Sequence, residues 1–513
     1  MARARPQTAA GEDRAVETEL KFQVPPAQGS ALRRAVATAS ARTVRLQAFY
    51  ADTPDHRLAA AGLALRLRKE GRLWVQTLKG RGDGLIRRLE HEVRLPPQTG
   101  APALDPQRHA GSAAGDALAL ALGDGAELHT LYATDIRRLH RRVRHGGALI
   151  EIAYDHGRIV AGGRAVAVNE IEFELVSGPP AALPALAARW AARFGLWWDV
   201  RTKSERGFRL ALGQDLVPAV KAGVAKLPAD AGPADAWALV LHSALAQALP
   251  NAAEIAAGTD APEHLHQLRV ALRRLRSALR WFAAWSSDAP AAHALETEWR
   301  EPFRRLGAAR DADVLTHSLQ PALAAAGAPP FTWPAPPPGA GPGEVVRSPA
   351  FTTLLLRTLA LSMLPAAADA GGGRRALEAA AHDVLRRAWR RVRRDAAGFA
   401  AAGVEDQHRT RKRLKRFRYG LEFLMPLLAP KSAQRLHLAV CTALDALGEL
   451  NDLHTAEARL RAHVGEDARA WFAVGWVRAR QEPAQAAAAA ALARVARLDQ
   501  RPLPWRRLVH RRV

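Results

Sequence analysis

Charged residues occupy every second position in several segments of the first 180 residues. In residues 16–24, Glu17, Glu19 and Lys21 alternate with apolar or small side chains. Alternation with period two predicts β-strands, and it recurs in residues 63–70, 73–79, 89–95, 149–155 and 169–176. Residues 28–40 and 181–195 have the pattern of helices instead. We therefore expect residues 1–213 to be rich in strands.

The charged face of these strands has an unusual composition. It consists almost entirely of Glu and Arg, and Glu170, Glu172 and Glu174 would repel one another on one strand unless a cation lay among them. A sandwich with one solvated face would explain any single strand. The whole set favours a sheet closed around a polar interior, where cations bind phosphate oxygens and carboxylates hold Mg²⁺ or Mn²⁺. That combination fits phosphoryl transfer to water.

From residue 233 onward the pattern is helical, and it contains an internal repeat. Residues 266–276 match residues 408–418, and residues 306–313 match residues 447–454 in the same order. A segment rich in Pro and Gly lies between the two copies. The predicted organisation is a flexible N-terminus (1–14), a strand-rich domain (15–213), a linker (214–232) and a helical domain (233–510), with repeats at about 233–326 and 350–510 and a connector at 327–349.

Each copy of the repeat carries a line of basic residues that step by three or four positions, so they share one helix face. The first stripe is His266, Arg269, Arg273 and Arg276. The second stripe is His408, Arg411, Lys415 and Arg418. A basic helix face is often merely solvated, but two copies favour an anion site lined by both. Aromatic residues are not interleaved with the arginines, which disfavours single-stranded nucleic acid and favours a narrow phosphate chain.

The composition agrees with a polyanionic partner. Lys and Arg number 74 against 50 Asp and Glu, which gives a formal net charge of +24. The single cysteine, Cys441, excludes a disulfide framework and a cysteine-based zinc site. No segment has the length and apolarity of a transmembrane helix, and the N-terminus lacks the apolar core of a secretion signal. We therefore expect a cytoplasmic protein without a membrane partner.

The strand-rich half resembles the CYTH, or triphosphate tunnel metalloenzyme, superfamily. Glu17-Thr-Glu19-Leu-Lys21 is similar to its E-x-E-x-K signature, and seven further blocks follow in family order. These blocks are residues 49–54 with 62–68, then 76–80, 90–92, 134–138, 150–155, 170–174 and 203–207. The resemblance implies an eight-stranded antiparallel β-barrel that forms a tunnel. It also implies hydrolysis or cyclisation of triphosphates with a divalent metal, Mg²⁺ or Mn²⁺.

The resemblance also assigns roles by position. The residues expected to bind the triphosphate are Lys21, Arg66, Arg68, Lys79, Arg138 and Lys203. The expected metal carboxylates are Glu17, Glu19, Glu170 and Glu172. The expected catalytic set is Glu17, Glu19, Lys21 and Glu92. Because side chains alternate along a strand, Glu90, Glu151, Asp155 and Glu174 should lie on the same polar face. A further strand at residues 42–50 would bring Arg45 near the site.

The helical half resembles the CHAD domain, a module of two similar four-helix bundles associated with polyphosphate. The predicted fold class is therefore an α+β two-domain protein, with a β-barrel tunnel followed by an all-α domain of duplicated four-helix bundles. The domain order is similar to that of bacterial inorganic triphosphatases. It implies metal-dependent hydrolysis of inorganic triphosphate, with the two basic stripes binding polyphosphate and an association with polyphosphate granules.

Two other functions stay open at this point. One is adenylate cyclase or thiamine triphosphatase activity on the same barrel, which needs a subsite for an organic group. The other is a non-enzymatic protein that binds polyphosphate granules through a degenerate tunnel. The complete set of Glu and Arg residues argues against a degenerate tunnel.

Overall fold

The structure is a computed structural model. It describes residues 16–82, 85–98, 100–123, 125–223, 227–259, 261–314, 319–331, 333, 341–364, 372–498 and 503–505. The predicted flexible N-terminus and parts of the predicted linker and connector lie outside these residues. The chain divides into two compact units: the first runs to Pro218 and includes Arg347–Leu356, and the second holds the remainder.

The described residues of the first unit form nine strands. They are β1 (Val16–Gln23), β2 (Arg42–Asp52), β3 (Ala64–Glu70), β4 (Leu73–Arg81), β5 (Arg87–Leu95), β6 (His129–His145), β7 (Ala148–Ala161), β8 (Arg164–Ser177) and the two-residue β9 (Trp197–Trp198). The sheet order is β5-β4-β3-β2-β6-β7-β8-β1-β9, and β5 also pairs with β1. That last pairing closes β1 to β8 into the predicted eight-stranded antiparallel barrel.

Where the structure describes this part of the chain, five α-helices accompany the barrel: α1 (Gly29–Val36), α2 (Arg57–Ala60), α3 (Ala113–Leu122), α4 (Ala182–Phe194) and α5 (Lys203–Leu212). α1 and α4 fall in the two segments with a helical pattern. α2, α3 and α5 are additional to the two helices that the pattern predicted. Lys203 therefore lies at the first position of a helix, which begins with a capping box between Thr202 and Glu205.

The barrel is polar inside and largely apolar outside. On β3, Arg66 and Arg68 face the interior, while Leu65 faces outward. Leu65 is buried there with Leu78 of β4 and Leu118 of α3. On the opposite wall, the Phe173 ring packs edge-on against Phe22 and Trp190 of α4. Most strands send their apolar side chains outward, so the helices are needed to bury them; β2 is an exception, because Val44, Leu46 and Ala48 line the tunnel.

The described residues after 232 form eleven α-helices. They are α6 (Pro233–Ala256), α7 (Pro262–Trp281), α8 (Ala289–Glu298), α9 (Arg300–Val314), α10 (Gln320–Ala325), α11 (Pro342–Arg347), α12 (Pro349–Ser362), α13 (Gly373–Gly398), α14 (Val404–Leu424), α15 (Pro430–His463) and α16 (Ala470–Arg497). The basic stripes lie on α7 and α14, which contact each other. The apolar sides of these helices hold Leu268, Leu272, Leu414 and Phe417, all buried. The side chains of Arg310 and Asp311, in the repeated motif, lie outside the described residues.

A pair of histidines, His91 and the buried His109, ties the segment before α3 to the outer wall of the barrel. His109 is fully buried, and its Nδ1 lies 2.8 Å from Nδ1 of His91 on β5. Its Nε2 lies 3.0 Å from the Gln76 side-chain nitrogen. Burial, with help from His91 and Arg108, lowers the pKa of His109 to about 4.

We therefore expect acid to weaken this part of the barrel. An unfolded histidine takes up a proton near pH 6.5, whereas folded His109 stays neutral down to about pH 4. The free energy of unfolding should fall by on the order of 2 kcal/mol as the pH is lowered through this window. This fall in stability can be measured by amide hydrogen exchange of residues 104–122 as a function of pH, after correction for the intrinsic exchange rate. His109→Gln should flatten the dependence, whereas His129→Gln, at a half-exposed position, should not; equal slopes in both would contradict the assignment.

Candidate functional site

The interior of the barrel is a charged tunnel of about 400 Å³. All eight barrel strands contribute to its lining, and Lys203 of α5 completes it. Among the predicted site residues, the lining includes Glu17, Glu19, Arg66, Arg68, Lys79, Glu92, Arg138, Glu172 and Lys203. The parity of the strands therefore brings most of the predicted set into one cavity.

Two predicted residues lie beside the tunnel and do not line it. Glu170 is fully buried, and one of its carboxylate oxygens lies 3.1 Å from Nη1 of Arg206. Lys21 is also buried and donates to the backbone carbonyl of Arg201. Burial lowers the pKa of Lys21. Lys21 lines a second cavity next to the tunnel.

Lys203 joins three carboxylates at one point of the site. Its Nζ lies 2.8 Å from Asp155 and 2.7 Å from Glu172, and it also contacts Glu170. Arg138 binds Asp155 through both Nε and Nη2, at 2.7 Å each, and reaches Glu172. Although burial alone would raise it, Lys203 and Arg138 hold the pKa of Glu172 well below its usual range. Glu172 is therefore an anion at neutral pH.

The same three carboxylates fit a divalent cation. Asp155, Glu170 and Glu172 each offer an oxygen, and the three oxygens lie within 4.8 Å of one another. Within the described part of the chain, no other group of three His, Cys, Asp or Glu residues meets this condition. Carboxylate oxygens are the ligands that Mg²⁺ and Mn²⁺ prefer. Sequence reasoning placed Asp155 on the polar face by parity but not among the metal carboxylates.

Glu17 and Glu19, the other predicted metal carboxylates, have separate partners. Glu17 lies 2.7 Å from Nζ of Lys79, and Glu19 lies 3.2 Å from Arg88. Burial raises the pKa of both carboxyl groups, and for Glu19 the charge of Glu17 adds to the effect. Glu174 lies in the same acidic region, and burial together with Glu17 and Glu151 raises its pKa to about 7.

Arg68 and Glu92 form another pair in the tunnel. Nη2 of Arg68 lies 2.9 Å from Glu92, which also accepts a hydrogen bond from Thr77. Burial acts to raise the pKa of Glu92, but the arginines prevail and lower it. Glu92 thus orients Arg68, whose guanidinium faces the cavity where a phosphate would lie.

The expectation that Arg45 lies near the site is wrong. Val44, Leu46 and Ala48 of β2 line the tunnel, so Arg45 points to the outer face of the same strand. There it binds Asp135 at 2.8 Å, and its side chain is 64% exposed. The same parity separates Arg138, which lines the tunnel, from the exposed Arg137.

Sequence reasoning did not single out Arg206. Its Nη1 contacts Glu170, and it lies three residues after Lys203 on α5. The i, i+3 spacing in residues 203–207 would have placed both cations on one helix face, had this block been assigned to a helix.

In the helical unit, the two basic stripes meet at Tyr419 of α14. Nε of Arg273 on α7 donates to the Tyr419 hydroxyl at 3.2 Å, and the Arg418 guanidinium lies over the Tyr419 ring at 4.8 Å. Lys415 lies one turn before Tyr419 on α14. The positive charges of Arg273, Arg418 and Arg411 all act on it. Burial and these cations, opposed by Asp452, lower the pKa of Lys415 to about 6.

The remaining stripe residues have defined surroundings. Arg269, Arg273 and Arg276 lie over the ring of Phe303 at 5.3, 6.0 and 5.4 Å. Nδ1 of His408 lies 2.7 Å from the Asn451 side-chain oxygen, and His408 lines a groove of about 660 Å³ with Arg411. His266 is partly exposed on α7. These contacts fix the cations in place but leave the surfaces of both stripes partly open.

Comparison with known proteins agrees with the two-part organisation. The CYTH domain model matches residues 15–203, and the CHAD domain model matches residues 239–461. The chain is 28% identical over 206 residues to the inorganic triphosphatase of Haemophilus influenzae. That match covers 39% of this chain and 56% of the relative, so the chain spans little more than half of that protein.

Solved structures are similar to each half. The CHAD domain of Ricinus communis is 27% identical, with a TM-score of 0.43, covering 54% of this chain and 96% of that chain. A Hippeastrum protein reported to have a dominant triphosphatase activity is 19% identical, with a TM-score of 0.28, covering 39% of this chain and 98% of that chain.

Among the described residues, no helix has the length and apolarity needed to cross a lipid bilayer. The closed antiparallel barrel with its charged tunnel and the helical half with its repeated motif agree with the two domain matches. Residues 15–203 of this chain are a CYTH domain, and residues 239–461 are a CHAD domain.

Proposed function

We propose that the barrel hydrolyses inorganic triphosphate with the help of a divalent cation. The observation that carries this proposal is the tunnel itself: five cations face its cavity, Asp155 and Glu172 line it, and Glu170 is buried beside them within reach of one shared cation. A triphosphate chain carries negative charge along its whole length, so a narrow cavity lined by cations suits it. The name of the Haemophilus relative supports the same substrate.

The cations of the tunnel would bind and orient the phosphate chain. They are Arg66, Arg68, Lys79, Arg138 and Lys203. Fixed positive charge stabilises the charge that spreads over phosphoryl oxygens in the transition state, and this electrostatic term is central to phosphoryl transfer. Because Arg68 is held by Glu92, its guanidinium needs little reorganisation when the substrate enters.

Asp155, Glu170 and Glu172 would hold the cation, which when bound would neutralise phosphate oxygens and polarise a phosphoanhydride bond. Lys203 and Arg138 neutralise these carboxylates; with a cation bound between the carboxylates, both side chains would be available to phosphate oxygens. Glu174, with its pKa of about 7, can accept a proton from water at neutral pH. These steps use only groups that line the site or lie next to it.

The helical domain is proposed to bind polyphosphate through the two stripes. Arg273, Lys415 and Arg418 converge from α7 and α14 around Tyr419. A phosphate chain laid along this surface would contact cations from both repeats. The stripes include no carboxylate, and the described helical unit holds no group of three metal-ligating residues, so binding without hydrolysis is expected there.

One prediction of this proposal concerns the metal carboxylates. Glu172→Gln should lower phosphate release from tripolyphosphate with Mg²⁺ or Mn²⁺ by at least about 100-fold, because a neutral amide binds a hard cation poorly. Glu127→Gln, which changes an 81% exposed carboxylate, is the matched control and should retain full activity. Circular dichroism checks the fold of both variants. Near-normal turnover of Glu172→Gln at limiting metal would refute the assignment.

A second prediction concerns substrate binding by the tunnel arginines. Arg68→Ala should lower kcat/KM for tripolyphosphate by about 10- to 100-fold, since a charge-assisted contact to phosphate is lost. Arg45→Ala removes the same charge from the outer face of the barrel and should change kcat/KM less than about twofold. If both variants lose activity equally, the effect comes from the net charge of the protein and not from the tunnel.

A third prediction concerns pH and polyphosphate. Lys415 is largely neutral above pH 6 in the free protein, and a bound phosphate chain would raise its pKa. Binding then takes up a proton, so polyphosphate affinity should fall between pH 6 and pH 8. Calorimetry on the full chain in two buffers of different ionisation enthalpy measures the proton uptake. Lys415→Ala should abolish it, and exposed Lys431→Ala should not; uptake that persists without Lys415 would rule out this group.

A further inference from the structure

Lys415 of α14 is an amine surrounded by guanidinium groups. Arg411 lies four residues before it and Arg418 three residues after it, so the three side chains share one helix face. Arg273 approaches from α7, where its Nε donates to the hydroxyl of Tyr419 at 3.2 Å. The positive charges of these three arginines act on Lys415. The amine therefore belongs to a cluster of cations that two helices build.

Unlike the lysines of the tunnel, Lys415 has no carboxylate bound to it. Lys79 and Lys203 each contact a carboxylate oxygen at 2.7 Å, and these anions outweigh burial and raise the pKa of both amines. In the part of the chain that the structure describes, Nζ of Lys415 makes no hydrogen bond or ion pair. Burial and the neighbouring arginines lower the pKa of Lys415 to about 6. At neutral pH most of this amine is therefore unprotonated, which is the form that acts as a nucleophile.

The nearest carboxylates neutralise the cluster only in part. Asp452 lies 4.0 Å from Nη2 of Arg411, and its side chain is 56% exposed. Glu422 lies 3.4 Å from Nε of Arg418. Arg273 donates to a neutral hydroxyl. The cluster is therefore short of negative charge, and an anion formed on the lysine itself would supply it.

Carbon dioxide is the reagent that turns a neutral amine into such an anion. It is small and uncharged, and Lys415 is half-buried, so CO2 can reach the amine from solvent. The product of the addition is a carbamate, which carries a carboxylate group. Guanidinium groups bind carboxylates through charge-assisted hydrogen bonds, as they bind phosphate. The surroundings that keep Lys415 neutral therefore also stabilise its carbamate.

From this geometry we infer that Lys415 is a site of carbamate modification by CO2. Nζ forms a bond to the carbon of CO2, and the electron pair of one C–O double bond moves onto oxygen as the carbamate charge. The nitrogen releases one proton to solvent, so neither an oxidant nor a reductant is needed. Arg273, Arg411 and Arg418 would bind the new carboxylate.

The modification would act against the anion that the basic stripes are proposed to bind. A carbamate and a polyphosphate chain both place negative charge among the same arginines. Each should therefore weaken the other, and by the same factor. The modification itself goes beyond the proposed function, whereas this competition rests on the proposed binding of polyphosphate by the stripes.

Chemical trapping on the full-length protein tests the modification directly. The protein is equilibrated at neutral pH with isotope-labelled CO2 and bicarbonate. Triethyloxonium then converts carbamates into stable ethyl esters, which peptide mass spectrometry locates. Lys415 should carry at least about tenfold more label than the exposed Lys431 of the same molecules. Equal labelling of the two lysines would overturn the inference.

Removal of single guanidinium groups tests the role of the cluster. Arg273→Gln and Arg411→Gln should each lower the labelling of Lys415 by about three- to tenfold, because each removes a cation that binds the carbamate and disfavours the protonated amine. Arg391→Gln removes the same charge from an exposed position of α13 and should leave the labelling unchanged. Circular dichroism checks the fold of each variant. Unchanged labelling in folded Arg273→Gln and Arg411→Gln would contradict stabilisation by the arginines.

Calorimetry with polyphosphate tests the competition. At constant pH and ionic strength, CO2 with bicarbonate should weaken polyphosphate binding to the wild type by about threefold. Lys415→Arg has a side chain that does not add CO2, so its affinity should not respond. An equal response in Lys415→Arg would show that bicarbonate competes as a free ion and would overturn the competition by the carbamate.

The two measurements also separate this inference from the proposed function. An unlabelled Lys415 in a protein that still binds polyphosphate refutes the modification and leaves the proposed function of the helical domain intact. A labelled Lys415 in a protein that does not bind polyphosphate supports the modification and refutes that proposed function.

Discussion

Compensation of charge inside the barrel is the constraint on which this structure depends. Asp155 and Glu170 are fully buried, and isolated charges at such depth would cost several kcal/mol each. Lys203 contacts both of them and Glu172, and Arg138 holds Asp155 through two hydrogen bonds. The barrel can keep a charged interior because its cations and carboxylates neutralise each other, and the same balance leaves them available to phosphate and metal.

The sequence pattern predicted the composition of the barrel interior well, for a simple reason. Side chains alternate across a strand, so one correct parity assigned Arg66, Arg68, Glu172 and their neighbours to the tunnel. The same rule should have excluded Arg45 from the tunnel, because its neighbours Val44 and Leu46 face inward. The prediction relied on the position of the strand and did not apply the alternation to this residue. The grouping of Asp155 with Glu170 and Glu172 depends on how β7 and β8 align, and a single sequence does not contain that register.

In the helical half, the sequence periodicity predicted that each basic stripe lies on one helix face. It could not predict that α7 and α14 contact each other. The hydrogen bond from Arg273 to Tyr419 joins residues far apart in the sequence. Arg274 shows the same limit: it is buried and donates to Gln247 and Ser243 of α6, although its neighbours face the basic surface. The spacing of residues on a helix determines in which direction each side chain points from the helix axis. Whether that side chain is buried depends on the neighbouring helix.

The pairing of β1 gives the barrel a particular order of assembly during synthesis. β1 is made first, yet its long partner is β8, in which Glu174 pairs with Glu19. Its other barrel partner, β5, is joined through only three residue pairs. Chain synthesis proceeds at roughly 5–20 residues per second. Many seconds therefore pass between the synthesis of β1 and that of β8, its longer pairing partner. The nascent barrel is therefore an open sheet with an unpaired edge, whose acidic and basic strands are hydrated until the last hairpin leaves the ribosome and closes the seam.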